Sequence, residues 1–355
     1  SLTRASKVAI LPDRAVSVTS TGKMDFSLFY FAAQEEQHKE NKYNLLLKGA
    51  AFADEHDLNA VWIPERHFHS FGDQFPNPSV AAAAVAATTQ NIKIRSGSVV
   101  LPLHDTVRVA EEWSMVDNLS DGRVELSIAS GWHPNDFVLS PENFENRHQI
   151  MREEIDTLQS LWQGNSMTRK NGVGTEYEFK IHPKPVQDKL DFWITAAGSP
   201  ETFRYAGSIG ANLLTHLLGQ TTEELAEKIS IYRTARKENG YDPAEGKVAL
   251  MLHTFVSDNP DYIREVVEQP FKNYLRHSIN LIKPMAEANN LDLSKDLEVI
   301  IDLAYNRFFK TSGFFGTPES LMPRGREFHK AGVDEIACLV DYGIDTEVVI
   351  DSLQH

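Results

Sequence analysis

The sequence predicts a single (β/α)8 barrel of the TIM type, and three observations carry this prediction. Eight short apolar runs of strand character are each followed by a segment with helical spacing of its apolar residues. The composition does not shift along the 355 residues in a way that would mark a linker between two domains. No G-x-G-x-x-G string follows any of the runs, which disfavours the runner-up, a doubly wound open sheet.

The first half of the chain holds four strand–helix pairs. The run at 24–31 is rich in Phe, Tyr and Leu, and the apolar residues of 45–53 then recur at spacings of 3 and 4. The same alternation repeats three times. The expected strands are 24–31, 60–63, 92–100 and 124–129, and the helices that follow them are 45–53, 79–89, 107–118 and 142–162.

The second half repeats the pattern with two insertions. A polar, glycine-containing stretch at 164–185 predicts a hairpin or loop inserted between the fourth and fifth strands, and a helical region at 261–309 predicts an insertion after the seventh. The remaining strands are expected at 192–196, 211–215, 248–256 and 335–340, with helices at 200–209, 223–239 and 318–331 and from 346 onward. Residues 1–22 are polar and predict a lead-in linker, so the barrel is expected to span 23–355.

Composition and charge exclude several classes of protein. With 41% hydrophobic and 24% charged residues, the chain can bury a full core. Its net charge of −15 disfavours binding to nucleic acid or to anionic lipid. No apolar run is long enough to span a bilayer, and no signal peptide is apparent. The single cysteine, Cys338, permits no internal disulfide and fits a cytoplasmic protein.

In such a barrel the active site lies at the carboxyl ends of the strands. After the second strand the chain carries Arg66, His67 and His69, and after the fourth it carries His133. We expect these histidines to act in hydrogen bonding or acid–base chemistry. A metal site built from His67, His69 and Asp73 is the weaker alternative, because Arg66 would place a cation beside the ion, and we predict no bound metal.

Small and aromatic residues follow the third and fourth strands. Gly97 and Ser98 would let a flat ligand approach the backbone, or would only permit tight packing. Ser130, Gly131 and Trp132 offer a close backbone approach and an aromatic wall, or form an ordinary turn.

The fifth strand leads into a helix start that could bind an anion. Ser199 is placed as N-cap and Pro200 as the first helical residue. Gly198, Ser199 and Thr202, together with the backbone N–H groups, could equally form a phosphate cradle or a purely structural cap.

Six segments together resemble the luciferase-like flavin monooxygenase family, in order along the chain from about residue 23 to 354. They are VWIPERHF at 61–68, PNPSVAA at 76–82, SVVLPL at 98–103, RVAEE at 108–112, DNLSDGR at 117–123 and GTPE at 316–319. Within this family the chain is similar to the subgroup associated with polyketide and nonribosomal peptide assembly lines. Two positions depart from the bacterial luciferase pattern, with Arg66 in place of a histidine and Ser130 in place of an arginine.

The resemblance implies a monooxygenase that uses reduced FMN and O2, through a C4a-peroxyflavin, to insert one oxygen atom. Baeyer–Villiger insertion, hydroxylation and N-oxygenation of a carrier-protein-bound intermediate are all open. It also implies a non-proline cis peptide at Gly97-Ser98 under the flavin, and the phosphate held at Gly198, Ser199 and Thr202. Arg66, His67, His69 and His133 are the candidates for catalysis.

The implied partners are a flavin reductase, an acyl or peptidyl carrier protein and a second copy of the chain in a homodimer. Two other functions fit the same scaffold. One is a deazaflavin (F420)-dependent dehydrogenase or reductase, which transfers hydride without O2. The other is a flavin-binding protein without turnover.

Overall fold

A computed structural model describes residues 24–31, 41–69 and 74–355. The predicted linker at 1–22 and the metal-ligand candidate Asp73 lie outside these residues.

Eight parallel strands close into a barrel, which confirms the predicted fold class. The sheet runs β10-β9-β11-β1-β2-β3-β4-β7-β8, and β8 pairs in turn with β9, so the sheet has no free edge at that point. The strands are β1 Asp25–Phe29, β2 Ala60–Ile63, β3 Lys93–Val100, β4 Val124–Ala129, β5 Met167–Lys170, β6 Glu176–Phe179, β7 Phe192–Thr195, β8 Asn212–His216, β9 Val248–Val256, β10 Phe314–Gly316 and β11 Glu335–Leu339.

Helices follow the barrel strands and cover the outside of the sheet. Their starts carry local caps, such as the Asn77 side chain accepting from Ser79 N–H and the Thr317–Ser320 capping box. The helices are α1 Asn44–Glu55, α2 Pro78–Thr88, α3 Thr106–Leu119, α4 Arg147–Trp162, α5 Pro200–Ser208, α6 Thr222–Glu238, α7 Pro260–Arg276, α8 Ile279–Ala288, α9 Leu297–Arg307, α10 Pro318–Ala331 and α11 Thr346–Ser352. None of the helices in the described residues is long and apolar enough to cross a membrane.

Both predicted insertions are present. The first is the antiparallel hairpin β5–β6, and the second is the helical segment α7–α9. The long helical region is broken after Arg276 and Ala288, and a turn of π-helix, Phe308–Ser312, follows α9. This turn leads into β10, a short strand that the sequence analysis missed because three residues are too few to show a period.

One helix boundary was wrong. The helix predicted from residue 142 begins at Arg147, and residues 134–143 form two short 3₁₀ turns instead. Pro134 and Pro141 each open one of these turns, and the helix follows only after Asn146, its N-cap.

The lower half of the barrel interior is charged as well as apolar. Arg95 on β3 contacts Glu125 on β4 at 2.8 Å and Glu335 on β11 at 2.6 Å, and all three side chains are buried. The guanidinium lies between the rings of Trp62 and Trp193, with its central carbon 4.6 and 4.5 Å from their centroids. This layer closes the barrel below the carboxyl ends of the strands, where the candidate site residues lie.

Candidate functional site at the carboxyl ends of the barrel strands

A buried carboxylate organises the ends of β2 and β3. Oε2 of Glu65 lies 2.5 Å from Nε2 of His67 and 2.7 Å from Nε2 of His104, and its Oε1 accepts a hydrogen bond from the Val100 N–H at 2.9 Å. We call Glu65, His67 and His104 the Glu65 cluster. Sequence reasoning selected His67 but missed the other two, although His104 directly follows the third strand and its turn.

The cluster sets its own ionisation. Burial raises the pKa of Glu65, but the hydrogen bonds from His104 and His67 outweigh burial and lower it. For His104, burial lowers the pKa, and the hydrogen bond and negative charge of Glu65 outweigh burial and raise it. The arrangement therefore favours an ionised Glu65 beside a protonated His104.

A second group of polar side chains lies at the rim of the barrel mouth. The rings of His69 and His133 are 5.5 Å apart between centroids, and His69 Nε2 lies 3.8 Å from Oδ1 of Asp136. That oxygen is buried and has no hydrogen-bond partner among the described residues. Burial, followed by the positive charge of Arg66, lowers the pKa of His69. The structure thus brings together His69, His133 and Arg66, while His67 joins Glu65.

Arg66 lies at the mouth over an aromatic ring. Its guanidinium carbon is 4.1 Å from the centroid of Phe31, and its Nη1 donates to the Phe31 carbonyl at 3.2 Å. The charges of Tyr274, Asp341 and Asp136 all act on it. Burial lowers its pKa in spite of these groups, although guanidinium stays charged.

The peptide bond Gly97-Ser98 is cis, which confirms the expectation from the family resemblance. Ser98 Oγ lies 2.7 Å from Ser127 Oγ and also contacts Thr195 Oγ1, and Ser127 Oγ lies 3.0 Å from the same threonine. The three hydroxyls link β3, β4 and β7.

The turn after β4 has a structural reason for its glycine. Gly131 has φ +84°, and a Cβ there would lie 2.9 Å from side-chain atoms of Phe137 and Val100. Trp132 is 61% exposed, and its ring packs edge-on against His133. Arg147 donates from Nε to the Gly131 carbonyl at 3.1 Å, which places a guanidinium beside Ser130. Sequence reasoning missed this arginine because it belongs to the next helix.

The start of α5 is open. A Cβ on Gly198 would meet no atom within 4 Å, so packing does not require glycine at this position. Ser199 is exposed, and its side chain makes no capping hydrogen bond, so the first N–H groups of α5 are not capped by it. Helix N–H groups with adjacent hydroxyls fit a phosphate, and the uncapped Ser199 and the open space beside Gly198 leave room for one.

Two histidines on β8 and β9 were also missed. His216 Nδ1 accepts from the Leu218 N–H at 3.1 Å, and His253 Nε2 lies 3.0 Å from the Tyr274 hydroxyl. Burial lowers the pKa of His253 to about 3 and that of His216 to about 4. His216 ends β8, and this position was the signal that could have found it, whereas His253 lies inside β9, three residues before its end.

We expect His253 to make the protein sensitive to acid. A histidine that folds neutral binds fewer protons than in the unfolded chain, so its stabilisation is complete above about pH 6.5 and is lost as the pH falls toward about 3. Between pH 7 and pH 5, the free energy of unfolding should fall more steeply in the wild type than in His253→Gln. The two slopes should differ by up to about 1.4 kcal/mol per pH unit. Urea unfolding at a series of pH values measures this slope. Equal slopes for the variant and the wild type would contradict the assignment.

Comparisons with known proteins agree with this arrangement. The family model described as "Luciferase-like monooxygenase" matches residues 24–335. The oxygenase component of flavin-dependent trigonelline monooxygenase from Acinetobacter baylyi is 24% identical over 94% of this chain and 93% of its own length.

Two solved structures share the fold. The FMN complex of the oxygenating constituent of 3,6-diketocamphane monooxygenase from Pseudomonas putida, a type II Baeyer–Villiger enzyme, has a TM-score of 0.72 at 19% identity, covering 93% of this chain and 96% of its own. An F420-dependent secondary alcohol dehydrogenase has a TM-score of 0.69 at 18% identity, covering 94% and 97%. At these identities the two likenesses show the barrel and do not choose between the two cofactors.

The fold and the polar barrel mouth are those of an oxidoreductase barrel, and the family match makes the class specific. The chain belongs to the luciferase-like monooxygenase family. It is a flavin-dependent monooxygenase, which confirms the prediction of an enzyme of this class.

Proposed function

We propose that this protein uses reduced FMN and O2 to insert one oxygen atom into an intermediate carried as a thioester on an acyl or peptidyl carrier protein. The observation that carries the proposal is the pairing of an open helix start at Gly198 and Ser199 with a mouth lined by Arg66, His67, His69 and His133. The carrier-bound substrate is proposed from the resemblance of the sequence to the assembly-line subgroup.

The residues present fit FMN. Ser199, Thr202 and the first N–H groups of α5 would hold the phosphate, with the backbone near Gly198 free of side-chain obstruction. Gly97, Ser98, Ser130, Gly131 and Trp132 would contact the remaining flavin. Bound reduced flavin supplies the electrons that activate O2.

The chain's own part is positioning, charge and exclusion of water. The rings of Phe68 and Trp132 stand exposed at the mouth, whereas Phe29 is buried beneath it. We assign the exposed rings to closing over the substrate and keeping water out. His69 and His133 are the acid–base candidates nearest to Asp136.

Arg66 favours attack on a carbonyl over the other open reactions. Its guanidinium lies at the mouth and its charge acts on His69 and Asp136. A fixed cation stabilises negative charge on an attacking oxygen and on the oxygen of an attacked carbonyl. This supports Baeyer–Villiger insertion ahead of hydroxylation or N-oxygenation.

The partners follow from the chemistry. The relative from Acinetobacter is named as an oxygenase component, which supports a separate flavin reductase as the source of FMNH2. The carrier protein would bring the substrate to the barrel mouth.

The test combines O2 uptake with mass spectrometry of a carrier-bound β-ketoacyl thioester. With FMNH2, we expect O2 consumption and a gain of one oxygen atom. The new oxygen should lie between the ketone carbonyl carbon and its neighbouring carbon, so that the product is an ester. Hydride transfer with reduced F420 and no O2 uptake would replace the proposal with a dehydrogenase. Flavin binding without turnover of any thioester would indicate a flavin-binding protein instead of an enzyme.

The helices α2 and α3 support a homodimer. Val80 on α2 is 67% exposed, and Met115 and Leu119 on α3 are each 56% exposed. The two helices are joined by a hydrogen bond from Ser79 Oγ to Glu112 Oε2 at 3.0 Å. Apolar side chains on neighbouring helices are typical of a surface that a partner covers.

For Met115→Lys we expect a shift from dimer to monomer, because a lysine ammonium would have to be buried at the interface. Light scattering after size-exclusion chromatography measures the mass. Val173→Lys, on the exposed turn between β5 and β6, is the matched control and should not alter the mass. Identical masses for wild type and Met115→Lys would remove α3 from the interface.

A further inference from the structure

The Glu65 cluster joins one histidine that reaches solvent to another that is buried at the barrel mouth. We propose that His104, Glu65 and His67 form a proton path between solvent and the mouth, in which His104 is the outer, positioning residue. The role of this proton in catalysis rests on the proposed function, whereas the path itself does not.

Of the three side chains, only the outer one is appreciably exposed. The His104 side chain is 29% exposed, that of Glu65 1% and that of His67 8%. Both Nε2 atoms meet the same carboxylate oxygen, Oε2, at 2.7 and 2.5 Å. The Val100 N–H holds the other oxygen at 2.9 Å, so the carboxylate is fixed between the two rings.

The surrounding charges favour a proton at the outer end. His104 faces Glu65 and Glu112, both of which raise its pKa. At the inner end, the charges of His69 and His67 both act on Asp136. A negative charge on Glu65 therefore holds a proton on His104 while His67 remains next to the polar rim.

The step moves one proton and no electrons. His104, protonated at both nitrogens, releases its Nε2 proton to Oε2 of Glu65, and Oε2 passes a proton to Nε2 of His67. His67 then carries two N–H groups and can release its Nδ1 proton to a group at the mouth. His104 keeps its Nδ1 proton, so its ring turns to present the vacated Nε2 to solvent, which protonates it and restores the original charge of the cluster. His67 is left with its proton on Nε2, and its ring turns in the same way before the next transfer.

A metal ion is the competing use of the same atoms. One ligand atom from each of the three residues lies within 4.8 Å of the others, which would suit two histidines and a carboxylate around one cation. The 2.5 and 2.7 Å separations are hydrogen-bond distances, and each polar contact is accounted for without an ion. The test below includes metal analysis for this reason.

The first measurement needs neither cofactor nor substrate. In ¹⁵N-histidine-labelled protein, we expect the His104 signals to titrate above the usual histidine range and the His67 signals to shift over the same pH interval. In His104→Gln, whose amide can still donate to Glu65, the shift of His67 in that interval should disappear. If the His67 signals do not shift while His104 titrates in the wild type, the path is overturned.

The second measurement is the pH profile of turnover. For His104→Gln we expect kcat to fall roughly tenfold at about pH 8 with unchanged KM, and added imidazole to restore it. His148→Gln, which removes an exposed histidine on α4, is the control and should match the wild type. An unchanged pH profile in His104→Gln, or a stoichiometric metal ion lost on Glu65→Gln, would also overturn the path. If the NMR signals of His104 and His67 shift together but the protein consumes no O2, the proposed function is rejected and the proton path stands.

Discussion

Arg95→Met is expected to lower the free energy of unfolding by about 3–5 kcal/mol, because it leaves two carboxylates buried without their cation. Arg95 lies within 2.8 Å of both Glu125 and Glu335 inside the barrel. Burial raises the pKa of Glu125, but the charge of Arg95 and the hydrogen bonds from Trp193 and Arg95 together outweigh burial and lower it. Chemical denaturation measures the loss directly.

Two controls separate the lost charge from the lost packing. Arg108→Met removes an exposed arginine paired with Glu111 on the same helix and should change stability by less than about 1 kcal/mol. Adding Glu125→Gln and Glu335→Gln to Arg95→Met should recover part of the loss. The Arg95→Met deficit should also narrow as the pH falls, because protonation neutralises the unpaired carboxylates. A deficit independent of pH would point to packing instead.

Gly198→Glu is expected to weaken FMN binding by about 5-fold to 150-fold. The new carboxylate would stand at the start of α5, where we place the phosphate, and repulsion between such charges amounts to roughly 1–3 kcal/mol at partly exposed sites. Quenching of flavin fluorescence measures the affinity. Since a Cβ at this position meets no atom within 4 Å, Gly198→Ala is the matched control and should bind FMN as the wild type does.

The salt dependence of this effect is a further check. Added salt should reduce the difference between Gly198→Glu and Gly198→Ala, because the site is exposed and its charges are screened. Equal affinities for the two variants at low salt would place the phosphate elsewhere, with Arg147 beside Gly131 as the next position to test.

The order of strands and helices could be predicted from the sequence because its signals are local. Strands β2, β4 and β9 have the predicted bounds, and α10 does as well. Apolar spacing and turn residues act within a few positions, so they are visible in one stretch of chain. The start of α4 was placed too early, since two short 3₁₀ turns precede it.

The site could be predicted only in part. The rule that function lies at strand ends selected His67, His69, His133 and Gly198, and the resemblance placed the cis peptide at Gly97-Ser98. His216 satisfies the same rule and was overlooked, whereas His253 lies inside β9, where the rule does not apply. Glu65 was noticed only as part of a motif.

The sequence by itself determined the barrel, its two insertions and the strand ends where chemistry is placed. Only the tertiary structure decided which side chains meet there, such as Glu65 with His104 across 39 positions and Arg95 with Glu335 across 240. These pairs depend on the order and register of strands from distant parts of the chain. No local periodicity encodes such contacts, because Glu65 meets His104 only when β2 pairs with β3, and Arg95 meets Glu335 only when the sheet curves into a barrel.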